Sequence, residues 1–245
     1  MDRVILHSDL NNFYASVECS VNSGFKNKAV AVTGDAQKRH GIVLAKNCAA
    51  KACGVKTGEA LWEAKQKCPN IVFVPANFDL YIRYSRIVKD IYANYTDQIE
   101  SFGLDECWLD VTGSKLFGDG KKIADDIRER VKQIGLTVSV GVSYNKVFAK
   151  LGSDIKKPDA TTIITKQNYK DVVWRLPVRD LLYVGRQTEN KLKKYFDIKT
   201  IGDLACTDVK KLKNKLGKCG VMLWVFANGQ DNSAVKHTYD NSRIK

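Results

Sequence analysis

Apolar positions along this chain recur with two different periods, and the switches between them lay out its elements. Val4-Ile5-Leu6-His7-Ser8-Asp9-Leu10 reads as a short apolar strand, and Asn11-Asn12-Phe13-Tyr14-Ala15-Ser16-Val17-Glu18 as the start of a helix. Residues 28–33 predict a strand, the polar stretch 34–41 a reversal, and Ile42-Val43-Leu44-Ala45 the returning partner. A short helix from Asn47 to Cys53 is stopped by Gly54, and a second is predicted from a cap at Thr57 to just before Pro69. Beyond a strand at 71–75, Leu80, Tyr84, Ile87, Val88, Ile91 and Tyr95 recur at helical spacing, as a core face does. Ile123, Ile127, Val131 and Ile134 mark a further helix from Lys121 to Ile134. A strand at 137–142 and a helix holding Val147, Phe148 and Leu151 follow. Strands alternating with helices around one central hairpin predict an α+β fold, a mixed sheet covered by helices on one face. From Asp171 the pattern shortens to small helices with polar turns, and Ser233 to Lys245 has no periodicity.

With 245 residues and 44% hydrophobic content, the chain can bury a real core and hold more than one small domain. No apolar run approaches a membrane span, and the early strand after acidic Asp2 is unlike a signal peptide, so a cytoplasmic location is expected. The seven cysteines are odd in number and lack the paired spacing of a zinc site; they read as reduced, mostly packed thiols. The net charge of +13 is concentrated late, with 17 Lys and Arg against 8 Asp and Glu between residues 166 and 245. A basic last third on a nearly balanced remainder suggests a polyanion gripped by one part and processed by another. A merely soluble lysine-rich surface is the plainer alternative.

Chemistry points to Ser101-Phe102-Gly103-Leu104-Asp105-Glu106-Cys107-Trp108-Leu109-Asp110-Val111, where two adjacent carboxylates sit in what otherwise reads as buried strand. Asp and Glu are rarely buried without a cation or a metal beside them. Neighbouring strand residues face opposite ways, so Asp105 and Glu106 converge only across a bend, which Gly103 permits. Asp9 ends the first strand. Three carboxylates at strand ends suit a hard divalent cation such as Mg²⁺. Taken singly, Asp9 reads as a helix cap and the Asp-Glu pair as a solvated turn.

The combination is more specific. Asp9 followed by Phe13-Tyr14-Ala15 and Val17-Glu18, and later Leu104-Asp105-Glu106 with Leu109-Asp110-Val111-Thr112, resembles the Y-family DNA polymerases, the translesion group that takes in polymerase IV and UmuC. The resemblance runs from the first strand to about Asp231. It implies a palm at 1–10 and 76–165, small α/β fingers at 11–75, an all-helical helix-hairpin-helix thumb at 166–232, and at 233–245 the start of a linker to a little finger domain that this chain does not reach. The implied activity is low-fidelity, template-directed addition of dNTPs to a primer 3′-hydroxyl in DNA damage tolerance. Asp9, Asp105 and Glu106 would be catalytic and, with the backbone carbonyl of Leu10, hold two Mg²⁺ ions. Phe13, Tyr14, Cys48, Lys51 and Lys157 would meet the nucleotide, with Tyr14 as a steric gate against a ribose 2′-hydroxyl. The turn of Gly185, Arg186, Gln187 and Thr188, together with Lys218, would face DNA phosphates. Implied partners are primer-template DNA, dNTP and the replicative sliding clamp through the missing C-terminal region, in a nucleoid-associated setting without a membrane.

Three positions depart from the family pattern. Cys48 and Lys51 stand where Tyr and Arg are usual, and Tyr183 replaces the first glycine of the thumb turn. Lysine neutralises phosphate charge without arginine's fork, and cysteine is only a weak donor. Two other functions fit part of the pattern. A nucleotidyl cyclase also uses a two-metal carboxylate site but has no use for a basic helix-hairpin-helix, and a catalytically silent DNA-binding module does not need all three carboxylates.

Overall fold

The structure, a computed structural model, describes residues 2–34 and 41–236. Most of the expected reversal at 34–41 and of the expected linker after 233 lies outside the described residues. In chain order the main elements are β1 (Ile5–Leu10), α1 (Phe13–Val21), β2 (Val30–Thr33), β3 (Val43–Lys46), α2 (Cys48–Ala52), α3 (Leu61–Lys67), β4 (Val72–Pro75), α4 (Phe78–Ala93) and β5 (Ile99–Ser101). Then come β6 (Glu106–Asp110), α5 (Gly120–Gln133), β7 (Val138–Ser143), α6 (Lys146–Ile155), β8 (Thr161–Ile163), α7 (Tyr169–Val173), α8 (Arg186–Phe196), α9 (Ile201–Cys206) and α10 (Val209–Ala227). The chain is α+β. It forms two compact units: one of Met1–Asp9, Ala93–Asp126 and Ser139–Lys245, the other of Leu10–Tyr92 and Ile127–Val138. Among the described residues no helix is long and apolar enough to cross a membrane.

The first unit is built on a five-stranded sheet in the order β5-β6-β1-β7-β8. β6 runs antiparallel to both β5 and β1, while β7 and β8 are parallel, so the sheet is mixed. β1 and β7 are buried along their whole length, the mark of strands covered on both faces. Gly120, opening α5, lies so close to the sheet that a Cβ there would stand 2.6 Å from the Val4 side chain and 2.8 Å from that of Val142. On the opposite face Gly141 of β7 meets α6. A Cβ at Gly141 would fall 1.9 Å from the Ala149 carbonyl oxygen and 2.5 Å from the Ser153 nitrogen. Helices thus cover two faces, which corrects the one-sided cover expected from the pattern.

α6 also supplies Val147, Phe148 and Leu151 to a core shared with Val173, Leu192, Leu204 and Leu223 of the helices after it and with Leu181 between α7 and α8. α10 bends at Gly217, whose φ of 61° is left-handed. Past α10 the chain is strapped to the sheet. Asn145 Nδ2 donates to the Gly229 carbonyl at 3.1 Å, and Arg3 Nη2 to that of Ser233 at 2.9 Å. Val235 is buried with Ile5, Trp108 and Ala149, and the Lys236 N–H reaches Glu100 Oε2 at 2.7 Å.

The second unit holds a three-stranded sheet, β3-β2-β4, with β3 antiparallel and β4 parallel to β2. Its core gathers Ala31, Val43, Ala50, Val55, Ala64, Cys68 and Ile71. α2 starts where the sequence predicts, because Asn47 accepts from the Ala50 N–H at 3.0 Å. α3 starts at Leu61, later than the expected Thr57 cap. Gly58 has φ +84°, and residues 58 and 59 instead bond to Val43, with the Gly58 N–H 2.8 Å from its carbonyl. In α4 the buried face is Tyr81, Ser85, Val88, Lys89 and Tyr92. Of the expected face Val88 and Tyr95 are buried, whereas Leu80, Tyr84, Ile87 and Ile91 are only half-buried, so most of the core face is turned by one residue from the expected one. All seven cysteines are free, but Cys48, Cys53, Cys206 and Cys219 are exposed, so packing is confirmed in full only for Cys68 and Cys107.

The contact of Gly141 with α6 leaves no room for a methyl group. Gly141→Ala is expected to lower stability by about 3 kcal/mol, the upper end of overpacking, read as a fall in the urea unfolding midpoint at unchanged m-value. An unchanged midpoint would show that α6 can retreat freely.

Candidate active site

The antiparallel register of β1 and β6 sets Asp9 directly opposite Glu106. Asp105 sits in the turn just before β6, which is closed by the Phe102 N–H donating to the Glu106 carbonyl at 2.9 Å, with Gly103 at φ 131°. The hairpin drawn from the sequence is there, and it is no solvated turn: Asp105 and Glu106 are both partly buried. Asp9 is not a helix cap either, since Asn12 holds that place at α1. Asp9 is 7% exposed.

Burying negative charge requires cations alongside, and α6 and the turn after it provide them. Lys157 Nζ lies 2.6 Å from Asp9 Oδ2 and 2.7 Å from Asp154 Oδ1. Lys150 Nζ is bonded to Glu106 Oε2. His7, wholly buried, places Nε2 3.3 Å from the same Oε2, yet off the line of a hydrogen bond. Its Nδ1 is 2.8 Å from Ser153 Oγ, whose hydroxyl donates to the Lys150 carbonyl at 2.7 Å. The glycine contact between β7 and α6 is what brings Lys150 and Ser153 within reach.

These surroundings push the carboxyls apart. Burial raises Asp9 to about 6, against the pull of Lys157 and with added repulsion from Glu106. Burial, then the Glu106 charge, also raises Asp105. Burial works the same way on Glu106, but His7 and Lys150 outweigh it and bring that carboxyl down to about 2. Burial takes His7 down to about 4, so it is neutral at pH 7. Lys157 is raised, because Asp9 and Asp154 outweigh its own burial.

A hard divalent cation would find suitable donors in these oxygens. Two carboxylates face each other, a third precedes them in the hairpin, and each buried charge already calls for a cation. Among the described residues no three His, Cys, Asp or Glu side chains converge as a ready-made metal cluster, because Asp9 and Glu106 are turned onto lysines. His7, Lys150 and Ser153 escaped sequence reasoning. His7 and Ser153 look like ordinary members of a strand and a helix, and Lys150 like a solvated lysine.

In the second unit Phe13 is buried and Tyr14 half-buried. Tyr14 stacks on Tyr81, with ring centroids 4.3 Å apart and planes at 12°, and meets Phe78 edge-on. The Tyr81 hydroxyl donates to buried Glu18 Oε1 at 2.7 Å. Tyr14 is therefore held at one angle by a partner that the helical periodicity missed. Cys48 and Lys51 lie exposed on α2, and Asn12 Nδ2 donates to Cys48 Sγ at 3.4 Å.

In the first unit Gly185, Arg186 and Gln187 are exposed at the start of α8, and Thr188 is half-buried. Gly185 offers no side chain to cap the helix, which leaves its first N–H groups to outside acceptors. Tyr183 has φ 69°, so the position where the family has glycine keeps the backbone that glycine favours. Lys218 is exposed just after the bend at Gly217.

Comparisons with known proteins bear on the family and fold of the chain. The sequence profile described as the impB/mucB/samB family matches residues 8–154, and that of the DNA polymerase-iota thumb domain matches 179–231. The chain is 61% identical over 237 residues to DNA polymerase IV of Acetivibrio thermocellus, covering 96% of this chain and 59% of that protein. It is 40% identical over 234 residues to DNA polymerase IV 1 of Bacillus subtilis, covering 95% and 56%. This chain thus spans less than two thirds of the length of these curated relatives. Among solved structures, the crystal structure of DinB from Sulfolobus solfataricus matches with a TM-score of 0.85 and 26% identity, over 96% of this chain and 69% of that one. An insertion ternary complex of Dbh DNA polymerase matches with a TM-score of 0.87 and 26% identity, over 95% and 69%.

Asp9 gives the site a pH signature. Its carboxyl rises from 3.8 to about 6 in the folded protein. The raised value favours the folded state while Asp9 is protonated, and that advantage is lost as pH rises through about 6. Above it, ionised Asp9 weakens the fold by on the order of 3 kcal/mol. Asp9→Asn is therefore expected to unfold at higher urea than the natural chain at pH 7, without added divalent cation, and at nearly equal urea near pH 3.5. A gain of the same size at both pH values would refute the assignment.

Proposed function

Because the chain belongs to the impB/mucB/samB family, within the Y-family polymerases, we propose that it is the catalytic part of a template-directed DNA polymerase of low-fidelity translesion type, working in DNA damage tolerance. The observation that carries this reading is Asp9 facing Glu106 across β1 and β6, with Asp105 in the adjoining hairpin. Two Mg²⁺ ions, held by Asp9, Asp105, Glu106 and the Leu10 backbone carbonyl, would activate the primer 3′-hydroxyl and offset charge building on the triphosphate. Glu106, held low by His7 and Lys150 against its burial, is anionic at neutral pH. Lys157 brings an ammonium for triphosphate oxygens, and Lys51 a point charge in place of the family's arginine fork. Phe13, Tyr14 and Cys48 complete the proposed nucleotide set, with the stacked Tyr14 ring as the barrier to a 2′-hydroxyl. Gly185, Arg186, Gln187, Thr188 and Lys218 would hold DNA phosphates through uncapped N–H groups and positive charge.

On this reading residues 1–10 and 76–165 serve as palm, 11–75 as fingers and 166–232 as thumb. Primer-template DNA and dNTP are the partners, in the cytoplasm near the nucleoid. Contact with a sliding clamp would fall to sequence that the longer relatives have beyond this chain. The thumb-domain match at 179–231 tells against a nucleotidyl cyclase, and the retained carboxylate set against a silent DNA-binding module.

Asp105 is opposed by its surroundings, so Asp105→Ala should keep the fold and lose primer extension by on the order of a hundredfold or more. Near-natural extension by a folded variant would sink the metal assignment. Glu106→Ala is a less clean probe, because it strands Lys150 and His7. For Tyr14→Ala, the ratio of rNTP to dNTP incorporation should rise by about tenfold or more. An unchanged ratio with dNTP use intact would make Tyr14 a packing residue only.

A further inference from the structure

We propose that Lys150 decides which divalent cation the carboxylate site accepts, by occupying one of the two oxygens of Glu106. The inference deepens the two-metal reading above and rests on it. Lys150 Nζ and His7 Nε2 both approach Oε2 of Glu106, and among the described residues no contact falls on Oε1. Lys150 is well fixed for this role. Its helix is seated on the sheet through Gly141, and its ammonium also lies 5.3 Å from the centre of the Phe102 ring.

Lys157 makes a useful contrast. It divides its ammonium between Asp9 and Asp154, so it has somewhere to go when a cation takes Asp9. Lys150 has Glu106 as its one carboxylate partner among the described residues. Glu106 is thereby left to meet a cation through Oε1 alone. Small Mg²⁺ demands a near-octahedral shell, usually keeps several waters and takes only a carboxylate or two. Larger Ca²⁺ takes six to eight oxygens, often with a carboxylate gripping through both. An ammonium held on Oε2 therefore penalises Ca²⁺ more than Mg²⁺ or Mn²⁺. Lys150 is a positioning residue here, since it acts through Glu106.

The test is cation binding by this 245-residue chain without DNA or nucleotide. Bound Mn²⁺ is measured from the loss of the free-ion electron paramagnetic resonance signal, and Mg²⁺ and Ca²⁺ are titrated as competitors, with folding checked by circular dichroism. Lys150→Met should bind all three ions more tightly and raise the affinity for Ca²⁺ relative to Mg²⁺ by about tenfold. Lys150→Arg, which keeps an N–H for Oε2, should keep the natural ratio. Lys150→Gln, neutral but still a donor, should tighten Mg²⁺ and Ca²⁺ together. A Lys150→Met ratio equal to that of the natural chain overturns the proposal and leaves Lys150 a plain counter-charge. If Lys150→Met does not fold, a raised ratio in Lys150→Gln overturns it equally, because charge and not oxygen occupancy would then be the cause. Asp105→Ala separates the two levels. Mn²⁺ binding that this substitution leaves untouched refutes the two-metal reading and the proposal with it, whereas binding that needs Asp105 but ignores Lys150 refutes only the proposal.

Discussion

Negative charge taken out of water must be answered by positive charge at contact distance, and much of the first unit can be traced to that requirement. Asp9 and Glu106 face each other on neighbouring strands, where two anions would repel at close range with little water to screen them. Lys157 and Lys150 answer them, one from the turn after α6 and one from α6 itself. Those lysines reach only because α6 lies almost on the backbone of β7, and it lies there because residue 141 has no side chain. A glycine in the middle of a strand thus settles the position of an ammonium on the neighbouring helix. The same helix gives its other side to the core that Leu181, Leu192 and Leu223 share, so the thumb helices and the carboxylates are referred to one rigid element.

The site is not balanced for stability. Glu106 is comfortable as an anion, whereas Asp9 and Asp105 are pushed toward the neutral form by their burial. His7 is buried uncharged with one ring nitrogen left without a hydrogen bond. Unfavourable groups of this kind gather at functional sites and persist because the surrounding fold over-determines them. Here the over-determination comes from β1 and β7, buried along their whole length.

Most of the element order and the hairpin were legible in the sequence, but the three-residue strand β8 was not, being too short to show a period. Asp9, Asp105 and Glu106 stood out because charged residues inside apolar strands are conspicuous, and their motif spacing carried the family. Their partners were not legible. Lys150 has the composition of a solvated helix lysine, and its burial depends on Gly141, which is nine residues away and lies on a different element. Most of the face of α4 was read one residue out of phase, because its buried side includes Ser85 and Lys89, which a hydrophobic period does not count, and Tyr81, whose hydroxyl is satisfied by Glu18. α3 was started too early because Thr57 looks like a cap, while the backbone of Gly58 turns the chain back toward Val43. Two-sided cover of the sheet was hidden for a related reason: the residues that make it possible, Gly120 and Gly141, carry no hydrophobic signal at all.

The strap after α10 bears on any segment that a longer chain would carry beyond it. Arg3, Asn145 and Glu100 hold the backbone from Gly229 to Lys236, and Val235 is buried among sheet residues. A tether is measured from its last fixed point, and the local concentration of whatever it carries depends on its free length and on where it is anchored. Among the described residues the anchoring continues past the end of the helix at Ala227 as far as Lys236, beside the edge strand β5. Freeing the strap by removing Val235 or the Glu100 contact would move the anchor of any further segment back toward Ala227 without inserting a residue, while leaving every carboxylate in place.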